Sequence, residues 1–206
     1  MEIIKEDYIN EYESRVKELC GAFLTAYCDC FYLIGIEERR KCYLKDQPMS
    51  IFYRHASEFF YSIVYALQRD AIVILCALED SDSKTNSVPQ LKGALHNYIN
   101  DFASVKSQLK KLPKHKLQYV EDCRNKAIAH IELNKELNKV PMVEVKRRLD
   151  QLRECYNACL FGNMIKYAIS DNKLKDIEED CCLGVNQLFS GKMDKYFMNR
   201  TKANET

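Results

Sequence analysis

The chain is short of the residues that interrupt a backbone: its 206 residues include six Gly, four Pro and no Trp. Hairpins and barrels need frequent turn residues, so an all-β architecture is excluded and long helices are favoured. It also lacks a charge imbalance. Lys and Arg number 31 against 30 Asp and Glu, a formal net charge of +1, so no global field draws the molecule onto nucleic acid or an anionic membrane, and any such contact needs a local patch. No apolar run approaches the roughly 18 residues of a membrane span, and Met1-Glu2-Ile3-Ile4-Lys5-Glu6-Asp7 lacks the basic stretch and apolar segment of an export signal. The expectation is a cytoplasmic protein without membrane association.

Ten cysteines are present, but no paired Cys-x-x-Cys. Their spacings give Cys28-x-Cys30, Cys155-x3-Cys159 and the adjacent Cys181-Cys182. Most fall at apolar positions of helical patterns, where a free thiol behaves as a small hydrophobe, so core packing in a reducing compartment is expected, with no metal and no cofactor. A chain that is 47% hydrophobic and 30% charged can bury one sizeable core. One domain over residues 1–190 and a polar tail over 191–206 are expected.

Apolar residues recur three and four apart at Tyr8, Tyr12, Val16, Leu19, Phe23, Tyr27, Phe31 and Ile34, which predicts one long amphipathic helix from about Ile4 to Tyr43, with Gly35 as the point where it could break. A second helix is expected from Ser50 to Glu79, its latter half, Tyr61 to Leu78, forming the central core helix. A polar turn over 80–86 follows. Ser87-Val88-Pro89-Gln90 then reads as a capping box with Pro in the first turn, opening a third helix to about Leu109. Pro113 separates a fourth, about Lys114 to Leu137. Pro141 opens a fifth, about Met142 to Ser170, and a short sixth runs from Leu174 to Phe189. The fold class is all-α, a bundle of about five to seven helices.

The fourth helix carries the sharpest signal. At about 100 degrees per residue, Leu117, Val120, Cys123, Ala127, Ile128 and Ile131 form one apolar arc with Arg124 in its middle. Glu121, Asp122, Asn125, Lys126 and Glu132 lie opposite, and His130 sits on the border. A guanidinium on an apolar stripe must meet a carboxylate such as Glu79 or Asp80, protrude across an oligomer interface, or point into a wet cleft. His130 follows Arg124 by about 120 degrees and roughly 9 Å, so a symmetric pair of chains brings two Arg and two His together more readily than one chain does.

Imidazole and guanidinium suffice for RNA cleavage. One moves protons near neutrality and the other offsets the charge of the phosphorane. A ribose 2'-hydroxyl attacks the adjacent phosphate, His130 acts as general base or acid, and a 2',3'-cyclic phosphate and a 5'-hydroxyl result. DNA lacks the attacking group.

A bare Arg-x4-6-His spacing is common by chance in a chain with four His. The fuller string Arg124-Asn125-Lys126-Ala127-Ile128-Ala129-His130 is more specific, because a polar residue follows the Arg and a small one precedes the His. Late in an all-helical chain, it resembles the HEPN superfamily. Within it the chain looks most like the abortive-infection, AbiU-type branch: a long first helix, a core helix ending in Leu78-Glu79-Asp80, a polar turn, then Ser87-Val88-Pro89-Gln90-Leu91. The likeness covers about Phe52 to Leu133. It implies a homodimeric, metal-independent endoribonuclease of prokaryotic defence or toxin-antitoxin type, with Arg124 and His130 as the catalytic pair, Asn125 as the polar residue that commonly follows the Arg, and an antitoxin or other defence protein as a candidate partner. Apart from the resemblance, Asp80 is a candidate to orient His130 or pair with Arg124, against the commoner reading of a helix-terminal Asp beside a polar turn as a surface residue. One departure matters: HEPN toxins silenced by a nucleotidyltransferase have Tyr two residues after the motif His, where this chain has Glu132.

Lys106, Lys110, Lys111, Lys114, His115 and Lys116 form a basic cluster just before the motif helix. Lys110, Lys111, Lys114, Lys116 and Lys126 are candidates for tracking RNA phosphates, and a solvated connection explains the cluster equally well. His55, His96 and His115 have no second metal ligand at useful spacing. Phe52, Phe59, Phe60, Tyr61 and Tyr65 lie at helical spacing and are expected in the core. The reading from a different functional class is a non-catalytic helical module that binds RNA, a nucleotide or a protein through the same groove. RNA cleavage lost on substitution of His130 separates the two.

Overall fold

The computed structural model describes residues 3–46, 57–113 and 140–189. Among them are six α-helices and no strand: α1 (Ile9–Asp46), α2 (Ser57–Leu78), α3 (Val88–Tyr98), α4 (Phe102–Val105), α5 (Met142–Asn157) and α6 (Asp171–Phe189). Three 3-10 turns, Glu6–Tyr8, Lys106–Gln108 and Gly162–Tyr167, accompany them. The expected all-α bundle is what forms. The fourth expected helix and the polar tail lie outside the described residues.

The central helix is α1 rather than α2. α1 packs against α2, α3, α5, α6 and the turn at Gly162–Tyr167, and Tyr12, Val16, Leu19, Phe23, Ala26, Tyr27 and Cys30 on it are fully buried. Its apolar rows at spacings of three and four cover more than one face, which lets several neighbours dock. α2 buries Gln68, Ala71, Ile72, Leu75, Cys76 and Leu78, while Tyr61, expected in the core, is 65% exposed. By length and composition both Glu6–Arg39 and Tyr61–Leu78 could cross a membrane; 61% and 33% of their apolar windows are buried within the protein. Ionic groups interrupt both, with Asp29 in the first and exposed Arg69 and Asp70 in the second, which hydrocarbon would penalise.

Gly35 does not break α1. The helix runs on to Asp46, and a Cβ on Gly35 would sit 3.3 Å from Val185 Cγ2, so the glycine allows α6 to approach. The helix starts late because Ile4, itself buried, pairs with Ile99 in an antiparallel bridge. Lys5 N–H donates to the Tyr98 carbonyl at 2.8 Å and Asn100 N–H to that of Ile3 at 3.0 Å.

The same bridge ends α3 at Tyr98 rather than Leu109, since Ile99 turns extended (φ −106°, ψ 131°). Asp101 then caps α4 by accepting from Ser104 N–H at 3.3 Å. α5 stops at Asn157, short of Ser170, because the chain reverses through Gly162, whose φ is +56°. Asn157 pins the return by exchanging two 3.0 Å hydrogen bonds with the Ile169 backbone. Ser170 becomes the cap of α6, its Oγ accepting from Lys173 N–H at 3.2 Å. The core holds Cys20, Cys30, Cys76, Cys155, Cys159 and Cys181, with Cys28 half-buried and Cys182 exposed.

Candidate functional site

The polar turn after α2 is built by the acids that open it. The Asp80 carboxylate accepts from Asp82 N–H at 3.0 Å, and the Asp82 carboxylate accepts from Lys84 N–H at 3.0 Å, two Asx turns in succession. Ser87 is buried and closes the loop: its hydroxyl donates to the Asp80 carbonyl at 2.6 Å and accepts from Gln90 N–H at 3.3 Å. The serine half of the expected capping box therefore forms. Gln90 does not complete it, and donates instead to the Ser81 carbonyl at 2.6 Å. Asn86 ties the turn to α1, donating to the Arg15 carbonyl at 3.1 Å and to Glu18 at 2.8 Å.

One residue before Asp80, Glu79 accepts from Arg148 Nε of α5. Both side chains are buried, and Arg148 Nη1 also donates to Gln151 at 3.2 Å. The sequence reading offered Glu79 as a partner for Arg124 and passed over Arg148. A signal was available, because Arg148 lies in the Val145, Leu149, Leu152 stripe of α5, the same anomaly that singles out Arg124.

The basic cluster is described at Lys106, Lys110 and Lys111, all exposed. Lys110 pairs with Glu154 at 3.2 Å, both side chains more than half exposed, so the pair is weak. The backbone beneath is held more firmly, since Lys92 donates to the Lys110 carbonyl and the Cys155 thiol to that of Lys111 at 3.2 Å. His96 is exposed and donates from Nδ1 to the Gly93 carbonyl of its own helix at 2.7 Å.

A second polar group, unforeseen in the sequence, lies on α1. Asp29 is 7% exposed and its Oδ2 has no hydrogen-bond partner. Burial first, and then the charge of Asp70, raise its pKa to about 6. Two residues away Tyr27 donates to Asp150 at 2.8 Å, and burial followed by that carboxylate drives its phenol pKa upward.

Arg124, Asn125 and His130, with Lys114, Lys116, Lys126 and Glu132, lie outside the described residues, as do His55, His115 and Phe52. Around that segment the described chain is an all-helical bundle that keeps the long first helix, the α2 terminus at Leu78, the polar turn and the Ser87-capped α3. This is a HEPN-type helical module. The chain belongs to the AbiU2 family of HEPN proteins, an abortive-infection family, whose sequence pattern it matches over residues 9–162. No match was found among curated proteins or among solved structures.

Proposed function

We propose that the protein is a metal-independent endoribonuclease of prokaryotic defence or toxin-antitoxin type, acting in the cytoplasm as a homodimer. The observation that carries this reading is the AbiU2 match over residues 9–162, which spans the whole string from Arg124 to His130. In the proposed reaction the two chains contribute a joint site. His130 takes the proton from a ribose 2'-hydroxyl or returns one to the leaving 5'-oxygen, and Arg124 offsets the charge of the phosphorane with its planar fork of donors. Asn125 supports the site beside Arg124. Asp80 supports it only indirectly, by shaping the turn after α2.

Lys110 and Lys111, together with Lys114, Lys116 and Lys126, form the proposed phosphate-tracking surface. An antitoxin or other defence protein is the proposed restraint on the activity. The string Arg-Asn-Lys-Ala-Ile-Ala-His followed by Ile131-Glu132 supports restraint by binding rather than by modification of a Tyr at position 132.

The test is incubation of RNA in EDTA with the wild type and with His130→Ala, both first shown to be folded dimers. Cleavage leaving 2',3'-cyclic phosphate ends, lost in the variant, is the expected result. Equal cleavage by the two proteins, or none by the wild-type dimer across varied RNAs, rejects the proposal; RNA binding that persists without cleavage identifies a binding module instead.

A further inference from the structure

α6 begins after the segment that matches the family and packs principally on α1. The two helices run in the same direction, with Cys181 beside Cys28, Gly184 against Tyr32 and Val185 against Gly35. Their approach is unusually close because glycine faces the partner from both sides. A Cβ at Gly184 would meet Tyr32 Cε1 at 3.2 Å, and one at Gly35 would meet Val185 at 3.3 Å. Between these contacts and the start of α6, Cys28 and Cys181 are neighbours, near enough for each thiol to act on the titration of the other. Cys181 Sγ also points at the Cys28 carbonyl, 3.9 Å away.

From this juxtaposition we propose that Cys28 and Cys181 are an oxidation site: hydrogen peroxide converts the pair to a disulfide that clamps α6 onto α1. The half-buried Cys28 thiol attacks one peroxide oxygen through sulfur, the O–O bond breaks, and the departing hydroxide takes up the Cys28 thiol proton and leaves as water. The sulfenic acid so formed is attacked at sulfur by Cys181, which gives up its proton as the hydroxyl departs as a second water. Two thiols and one peroxide become one disulfide and two waters. Burial raises the pKa of both thiols, that of Cys181 to about 12, so the thiolate fraction is small and the pair stays reduced until oxidant exposure is sustained.

The clamp closes a loop between positions 153 residues apart and holds down a helix with one main neighbour. Its readout is therefore a local change at α6, independent of any ribonuclease activity.

The experiment treats the reduced full-length protein with hydrogen peroxide, alkylates the remaining thiols, and locates the linked residues by tandem mass spectrometry. A Cys28–Cys181 bridge is expected. It should be reversed by dithiothreitol, absent in Cys28→Ala and Cys181→Ala, and present in Cys30→Ala and Cys182→Ala. Amide exchange within 171–189 should slow by roughly tenfold or more on oxidation. Recovery of Cys28 and Cys181 as alkylated or sulfinic residues while Cys182 is oxidised overturns the proposal, as does a bridge made by Cys30 or Cys182. The wild-type map decides alone if a variant fails to fold.

Discussion

Arg148 donates from Nε to Glu79, 69 residues earlier in the chain, and the two buried side chains join the end of α2 to the middle of α5. Removing one partner deprives the other buried charge of this contact, a loss of up to about 3 to 5 kcal/mol. Arg148→Met and Glu79→Leu should each lower the urea midpoint strongly. The double variant should lose less than the sum of the two single losses, because the shared contact is removed only once. A double variant as unstable as the sum of the two would show that the charges do not act as a pair.

Asp29 makes stability depend on pH in the direction opposite to a salt-bridged acid. Its folded pKa, about 6, lies above that of the unfolded chain, about 3.9. The stabilising protonated form is therefore full below pH 4 and is lost as pH rises through 6. Asp29→Asn should raise stability at pH 8 by up to about 3 kcal/mol, with little difference from wild type at pH 4. A constant offset across that range would remove the carboxyl from the explanation.

At the proposed catalytic centre, Arg124→Lys keeps the charge and loses the planar fork of donors. RNA cleavage should fall by about tenfold or more while the dimer persists. Unchanged turnover would take Arg124 out of the mechanism.

The pairing of Lys110 with Glu154 at 3.2 Å gives the RNA surface a graded test. Glu154→Gln should strengthen RNA binding slightly. Lys110→Ala should weaken it and reduce the slope of log affinity against log salt by about 0.7 for single-stranded RNA. An unchanged slope in Lys110→Ala would identify the cluster as a solvated connection.

Ser87 both caps α3 and holds the Asp80 carbonyl. Ser87→Ala should destabilise the protein by about 1 to 2 kcal/mol, as loss of a helix cap does. Thermal unfolding at neutral pH checks this, and a loss below experimental error would mean the turn holds without its serine.

What the sequence determined by itself was what depends on near neighbours along the chain. Few glycines and prolines, with apolar repeats three and four apart, make helices. Ser87 and Pro89 mark where one begins, and the Arg124 to His130 string marks the family. Its helix ends were less legible. α3 stops because Ile99 meets Ile4, and α5 stops because Asn157 holds Ile169, contacts between positions the pattern treats as unrelated.

Tertiary structure alone decided that α1 is the central helix, that Gly35 serves packing rather than a break, and that Arg148 meets Glu79. It also set Cys28 beside Cys181 and left Asp29 buried without a partner for Oδ2. Periodicity states which face of a helix is apolar. Which neighbour covers that face, and which polar group is trapped beneath it, depends on packing between segments distant in sequence.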